Sequence, residues 1–244
     1  MNQLLRASRL RFSLLILILL APQVSPAQQE CVVLLHGLAR TSNSLNKIES
    51  ALIEAGFLVS NIDYPSTEAK VAQLSVDAVG AGINNCDSMA AEQIHFVTHS
   101  LGGILVRYYF ANNKHQKLGR VVMLAPPNQG SEVVDSWKKL PGYSLLNGPA
   151  GDQLGTDEHS VPLSLGPVDF DLGVIAGNRS VNPFLSQFLP NPDDGKVSVA
   201  STKVEGMRDH LVLPVTHTLM MRNDQLINQV IYYLQHGSFN RTGK

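Results

Sequence analysis

The heptapeptide Val97-Thr98-His99-Ser100-Leu101-Gly102-Gly103 constrains this chain more than any other stretch. Before it, residues 94–97 form an apolar run broken by one histidine, with Phe96 and Val97 strong strand formers. After it, Leu101, Leu105, Tyr108 and Tyr109 recur at i, i+4, i+7 and i+8, the spacing of one helical face. A strand that becomes a helix within about two residues has to turn a sharp, strained corner. Ser100 sits at that corner, and Gly102 lies where the helix must pass close to the strand. Such a corner lifts the serine oxygen out of the sheet, and the helix N-terminus behind it favours negative charge.

The rest of the chain repeats the same rhythm. Residues 31–35 are continuously apolar and β-branched, which suits a strand buried on both faces of a parallel sheet. A helix carrying Leu45, Ile48, Leu52 and Ile53 runs to Gly56, a C-terminal cap. Residues 57–62 read as a strand, 67–83 as an amphipathic helix and 118–124 as a further strand. Later come a strand at 172–176, a turn at 191–195, a strand at 211–215 and a helix at 219–234. Strands alternating with helices in this way predict an α/β domain, a mostly parallel sheet with helices on both faces. His36, Asp63, Ser100 and Pro126 all follow strand ends, so they line one edge of the sheet, where such sheets bind ligands.

Residues 128–171 break the pattern. They hold six glycines and four prolines, and one short helical pattern at Val133, Val134, Trp137 and Leu140. A loop-rich stretch of this length reads as a lid or substrate-binding insertion, with Trp137 as an apolar wall. The plainer alternative is a connecting helix with surface loops.

At the N-terminus, Arg6, Arg9 and Arg11 precede an apolar run at 12–21 too short to span a bilayer, and Ser25-Pro26-Ala27 follows. This is the pattern of a secretory signal peptide cut after Ala27, leaving a single domain at 28–244 in the periplasm or outside the cell; an uncleaved anchor is the alternative. Without residues 1–27 the chain carries 16 basic and 20 acidic side chains, which argues against nucleic acid as a partner. Cys31 and Cys86 are the two cysteines; in an exported chain they predict a disulfide, against two buried thiols. Their spacing does not suit a metal site.

A serine hydroxyl is a poor nucleophile near neutral pH and needs a base, which in turn needs an orienting carboxylate. At strand–turn–helix serine sites the three follow in the order Ser, Asp or Glu, then His. Of the eight histidines, His217 alone follows a predicted strand and precedes the last helix. His210 precedes that strand, His159 lies in the insertion, and His36 and His99 read as packing or hydrogen-bonding residues. Asp194, before Gly195, is the favoured acid, with its neighbour Asp193 the alternative; Asp169 and Asp171 precede their strand. Two backbone N–H groups must face the developing oxyanion, and those of Leu38 and Leu101 are best placed.

Together, the His36-Gly37-Leu38 loop, Thr98-His99-Ser100-Leu101-Gly102-Gly103, Pro126-Pro127-Asn128-Gln129-Gly130-Ser131, Asp194-Gly195 and His217 resemble the small bacterial secreted lipases and esterases of the α/β-hydrolase superfamily. The likeness extends to relatives of the GPI inositol-deacylases and covers nearly all of the chain after residue 30. It departs from them at Thr98, where the motif has glycine, and at Asn128, where many lipases have histidine. The resemblance implies an α/β-hydrolase fold with a Ser100–Asp194–His217 triad and an oxyanion hole at the amides of Leu38 and Leu101. It implies cleavage of carboxylic esters, lipid or other acyl esters, through an acyl-enzyme without cofactor or metal. Transient contact with a membrane or lipid surface goes with such substrates, and the oligomeric state stays open. A thioesterase or amidase with the same triad, or a non-catalytic binding protein on the same fold, are the alternatives.

Overall fold

A computed structural model describes residues 29–181 and 186–242. The proposed signal peptide lies outside the described residues. Six strands form one sheet in the order β2-β1-β3-β4-β5-β6, and every neighbouring pair is parallel. They are β1 (Glu30–Leu35), β2 (Leu58–Ile62), β3 (Gln93–His99), β4 (Leu118–Leu124), β5 (Leu172–Gly177) and β6 (Asp209–Leu213).

The strand pleat divides each apolar run between two cores. Cys31, Val33 and Leu35 of β1 face one layer with Phe96, Val121, Met123 and Val174, and there they meet helices α2 (Val71–Ser88) and α3 (Leu101–Asn112). Val32 and Leu34 face the other layer with Val97, Val122, Leu124 and Ile175, against α1 (Asn46–Glu54) and the C-terminal helix (Asp224–His236). All five residues after Glu30 in β1 are fully buried, which is why the run shows no polar alternation. Each such side chain contributes about 1.5–3 kcal/mol through burial.

Cys31 and Cys86 are joined by a disulfide, with a Cα–Cα distance of 5.7 Å. It ties the start of β1 to the end of α2. That helix starts later and runs further than its apolar pattern suggests, because Cys86 continues the buried stripe of Ala78, Val79 and Ile83.

Two other elements differ from the sequence reading. The last strand ends at Leu213 rather than continuing to 215, because Pro214 has no N–H to offer the ladder. The C-terminal helix begins at Asp224, where the Asn223 side chain accepts a hydrogen bond from the Leu226 amide (2.9 Å). A short 3-10 turn, Met220–Arg222, fills the preceding segment. Among the described residues, no helix is long and apolar enough to cross a membrane.

The insertion between β4 and β5 is more helical than its glycine and proline content suggests. It contains α4 (Glu132–Trp137), α5 (Tyr143–Asp152) and α6 (Val161–Ser164), and α5 is broken at Gly148, whose φ is +64°. Tertiary contacts, not propensity, hold these short helices. The Gln153 side chain accepts from the Val71 amide at the start of α2 (2.9 Å), and Arg107 donates to the Gly166 carbonyl (2.7 Å). Asn128 lies beneath the insertion, fully buried, receiving Arg107 and donating to the Thr202 carbonyl (2.7 Å).

Candidate active site

The register of the central strands aligns Leu35 with Thr98, His99 with Leu124 and Leu124 with Ile175. The chain therefore leaves β1, β3, β4 and β5 at one rim. Ser100 joins β3 to α3 with φ +52° and ψ −118°, a backbone conformation an L-residue holds only under constraint. Two contacts impose it. The Ser100 amide donates to the Leu124 carbonyl (2.9 Å), and α3 packs so tightly that a Cβ on Gly102 would stand 2.5 Å from the Leu35 carbonyl oxygen. Thr98 is accommodated inside β3, fully buried, its hydroxyl without a partner among the described residues.

Asp194 and His217 meet at the same rim. His217 Nδ1 lies 2.8 Å from Asp194 Oδ2, and the His217 amide donates to the Asp194 carbonyl at 3.0 Å. The second carboxylate oxygen accepts from the amides of Lys196 (3.0 Å) and Val197 (2.8 Å). Both side chains are buried, Asp194 completely. Asp193 points elsewhere: its Oδ1 accepts from the Gly195 amide (2.7 Å) and the Ser186 hydroxyl (2.8 Å), closing the turn.

The other histidines occupy separate places. His210 lies within β6 and donates from Nε2 to the Thr202 hydroxyl (2.9 Å). His159 is exposed in the insertion, outside the cleft. His36 stacks on Tyr64 at 4.0 Å and donates from Nδ1 to the Gly37 carbonyl (2.9 Å), while the Tyr64 hydroxyl donates to the His36 carbonyl (2.5 Å). His99 is buried against His217, with ring centroids 4.8 Å apart, and its Nε2 donates to the His217 carbonyl (3.0 Å). Burial is the main cause that holds the His99 ring well below the ordinary imidazole range and also lowers His36, so both stay neutral.

Ser100 and His217 line one cleft of about 180 Å³, with no hydrogen bond between their side chains. The β1–α1 loop supplies Leu38 and Arg40, and the insertion supplies Val133, Val134, Trp137, Tyr143 and Leu154. The amides of Leu38 and Leu101 have no acceptor among the described residues. The loop carrying Leu38 is held from behind, since the Ala39 amide donates to the Ser66 hydroxyl (3.0 Å). Gly37 is required there, because a Cβ would stand 2.7 Å from His99 Nδ1. Larger hollows exist, including one of about 410 Å³ near Gln93, Leu118 and Asp171 at the opposite edge of the sheet, but none of the rim residues reaches them.

Arg40, Lys196 and Tyr143 are cleft residues that sequence reasoning did not single out. Arg40 follows the Leu38 loop and Lys196 follows Asp194-Gly195, so their nearness to motif residues was the available signal. Among the described residues, no group of three or more His, Cys, Asp or Glu side chains is arranged to hold a metal ion.

No family model matches the sequence, and no curated protein is similar to it. Solved structures are. The mature lipase BlEst2 of Bacillus licheniformis superposes with a TM-score of 0.67 at 19% identity, over 86% of this chain and 93% of that one. Phospholipase PlaB of Legionella pneumophila gives 0.67 at 17% identity, over 86% of this chain but 61% of that longer one. A thermophilic esterase of Thermogutta terrifontis gives 0.59 at 13% identity, over 86% and 91%.

The chain has the α/β-hydrolase fold, the fold of these lipases and esterases. The likeness to relatives of the GPI inositol-deacylases stays a resemblance of sequence motifs.

Proposed function

We propose that this chain is an exported serine hydrolase that cleaves carboxylic esters, with Ser100 as nucleophile, His217 as base and Asp194 as the orienting acid. The observation that carries the reading is the 2.8 Å contact between His217 Nδ1 and Asp194 Oδ2 in the cleft that Ser100 also lines. An aspartate on Nδ1 holds the imidazole in the tautomer whose Nε2 lone pair can accept a proton, and it stabilises the imidazolium that forms.

Ser100 Oγ attacks the acyl carbon while His217 Nε2 takes its proton, and the carbonyl oxygen becomes an oxyanion facing the Leu38 and Leu101 amides. Collapse expels the alcohol, which receives the proton from His217, and leaves Ser100 acylated. Water then attacks the acyl carbon, His217 again takes the proton, and release of the carboxylic acid restores the serine. Each amide donor is worth about 3–4 kcal/mol in such sites. Neither step requires a cofactor. Trp137 and its apolar neighbours take the acyl chain.

Export is supported by the disulfide, which persists in oxidising compartments, and by the N-terminal pattern that ends at Ala27. N-terminal sequencing of the exported protein tests it, with residue 28 expected first. The chemical reading is tested by a fluorophosphonate probe together with turnover of p-nitrophenyl butanoate. Labelling at Ser100 and turnover are expected, both abolished in Ser100→Ala. Full turnover by that variant sinks the mechanism.

A further inference from the structure

The cleft holding Ser100 has an uneven charge. Its lining includes two cations, Arg40 and Lys196, and no aspartate or glutamate. Neither cationic side chain makes a hydrogen bond or ion pair among the described residues. Such pairing is common elsewhere in the molecule, where Lys47, Lys117, Lys138, Arg208 and Arg241 each face a carboxylate. Asp194, two residues before Lys196, is buried and already engaged by His217 and two amides. Two like charges thus face one cleft without a direct ion-pair partner, Asp194 offsetting only part of the charge on Lys196, in a chain whose overall charge is negative.

Both side chains are exposed, but the backbone that carries them is anchored. Lys196 is fixed through its backbone on both sides, its amide donating to Asp194 and its carbonyl accepting from the Ser131 hydroxyl (2.7 Å). Arg40 follows Ala39, whose amide is held by Ser66. Desolvation at the cleft and then the charge of Arg40 push the Lys196 amine below its usual value, so the two cations share one neighbourhood. Both also act against protonation of His99, beneath the same cleft. Val133, Val134, Trp137 and Leu154 give the same cleft an apolar wall.

We propose that Arg40 and Lys196 form a binding site for an anionic group, a phosphate or carboxylate, carried by the ester on the side of the scissile bond opposite its hydrocarbon chain. The proposal rests on the hydrolase reading above and narrows its substrate class. An anion between the two side chains relieves their mutual repulsion, and the field of the paired cations draws such a substrate to the cleft. The apolar wall takes the acyl chain while the cationic rim sets which ester is held in register.

The test compares p-nitrophenyl butanoate with the same ester bearing a carboxylate on the nitrophenyl ring, and a monoacylglycerol with its phosphate monoester. The quantity read is the ratio of kcat/KM for the anionic over the neutral member of each pair, which cancels any general loss of fold or chemistry. In the wild type the ratio exceeds one for at least one pair and falls as salt rises. In the double variant Arg40→Gln, Lys196→Gln it drops by about tenfold, the combined worth of two partly screened charges. The pair that shows the preference tells a lipid phosphate from a simple carboxylate. Turnover of the neutral esters with no anionic preference in the wild type, or a ratio the double variant leaves unaltered, overturns the proposal alone. Absence of turnover on all four esters, with no fluorophosphonate labelling, overturns it together with the hydrolase reading.

Discussion

Asp194 holds His217 by two bonds at once, a side-chain contact from Oδ2 to Nδ1 at 2.8 Å and a backbone bond from the His217 amide to the Asp194 carbonyl at 3.0 Å. The imidazole is therefore fixed in both position and rotation. Asp193, one residue earlier, spends its carboxylate on the Gly195 amide and the Ser186 hydroxyl.

Replacing each aspartate by asparagine separates chemistry from turn stability. Asp194→Asn leaves the shape intact but presents an amide to Nδ1, and kcat on p-nitrophenyl butanoate is expected to fall by about a thousandfold to ten-thousandfold. Asp193→Asn is expected to cost less than about tenfold in kcat and about 1 kcal/mol in stability, since it weakens one charged acceptor of the turn. Steady-state kinetics and urea unfolding of the two variants check both.

Ser100 is held at φ +52° by its surroundings, so function and stability conflict there. Ser100→Gly removes the side chain's objection to that backbone and is expected to raise unfolding free energy by about 1 kcal/mol while abolishing turnover. Urea denaturation read by circular dichroism checks the first expectation, and the ester assay the second. A less stable Ser100→Gly variant contradicts the strain assigned to this corner.

The disulfide joins residues 55 positions apart, and closing a loop of that length restricts the unfolded chain by about 4 kcal/mol at most. Cys31→Ala, Cys86→Ala is expected to lose about 2–4 kcal/mol of stability, measured by urea unfolding with and without reductant. The bridge lies at the N-terminal end of β1, whereas Ser100 stands beyond the C-terminal end of its neighbour β3. Accordingly, kcat/KM of the folded variant is expected to stay within about twofold of the wild type.

Acid is expected to destabilise the fold before the carboxylates titrate. Burial, then the charge of Lys203, lowers His210 from 6.5 to about 4, and burial also lowers His36, His95 and His99. Between pH 6.5 and 4 the unfolded chain binds protons that folded His210 refuses, so stability falls as pH drops through that window and levels off for this group below it. His210→Gln keeps a donor for Thr202 and is expected to flatten the fall by about 2 kcal/mol, allowing for partial exposure. Unfolding free energy measured across this pH range checks it. An unaltered slope rules out His210 as a contributor.

Much of the architecture was legible because parallel strands buried on both faces leave a continuous apolar signal. The strand Leu118–Leu124 matches its expected bounds, and the corner at Ser100 was visible from one abrupt change of periodicity. The reading ran through Pro214 because apolar character continues past it while hydrogen-bonding capacity does not. In the insertion it marked the helical stretch of α4 but missed α5, which is broken at Gly148, and α6, which is only four residues long. Their stability comes from partners such as Val71 and Arg107, far away in the chain.

The sequence by itself determined the alternation of elements, the corner at Ser100 and the candidate base at His217, and it favoured a disulfide between its two cysteines over two free thiols. It favoured Asp194, directly before Gly195, over Asp193 without excluding the latter, since both lie in the same turn. Only the tertiary structure decided that Asp194 faces His217 and Asp193 closes the turn. It alone also brought Arg40 and Lys196, from loops after different strands, to one cleft without a carboxylate between them. The physical reason is range: periodicity and turn chemistry act over a few residues, whereas hydrogen-bond partners and local charge depend on which distant segments the sheet places side by side.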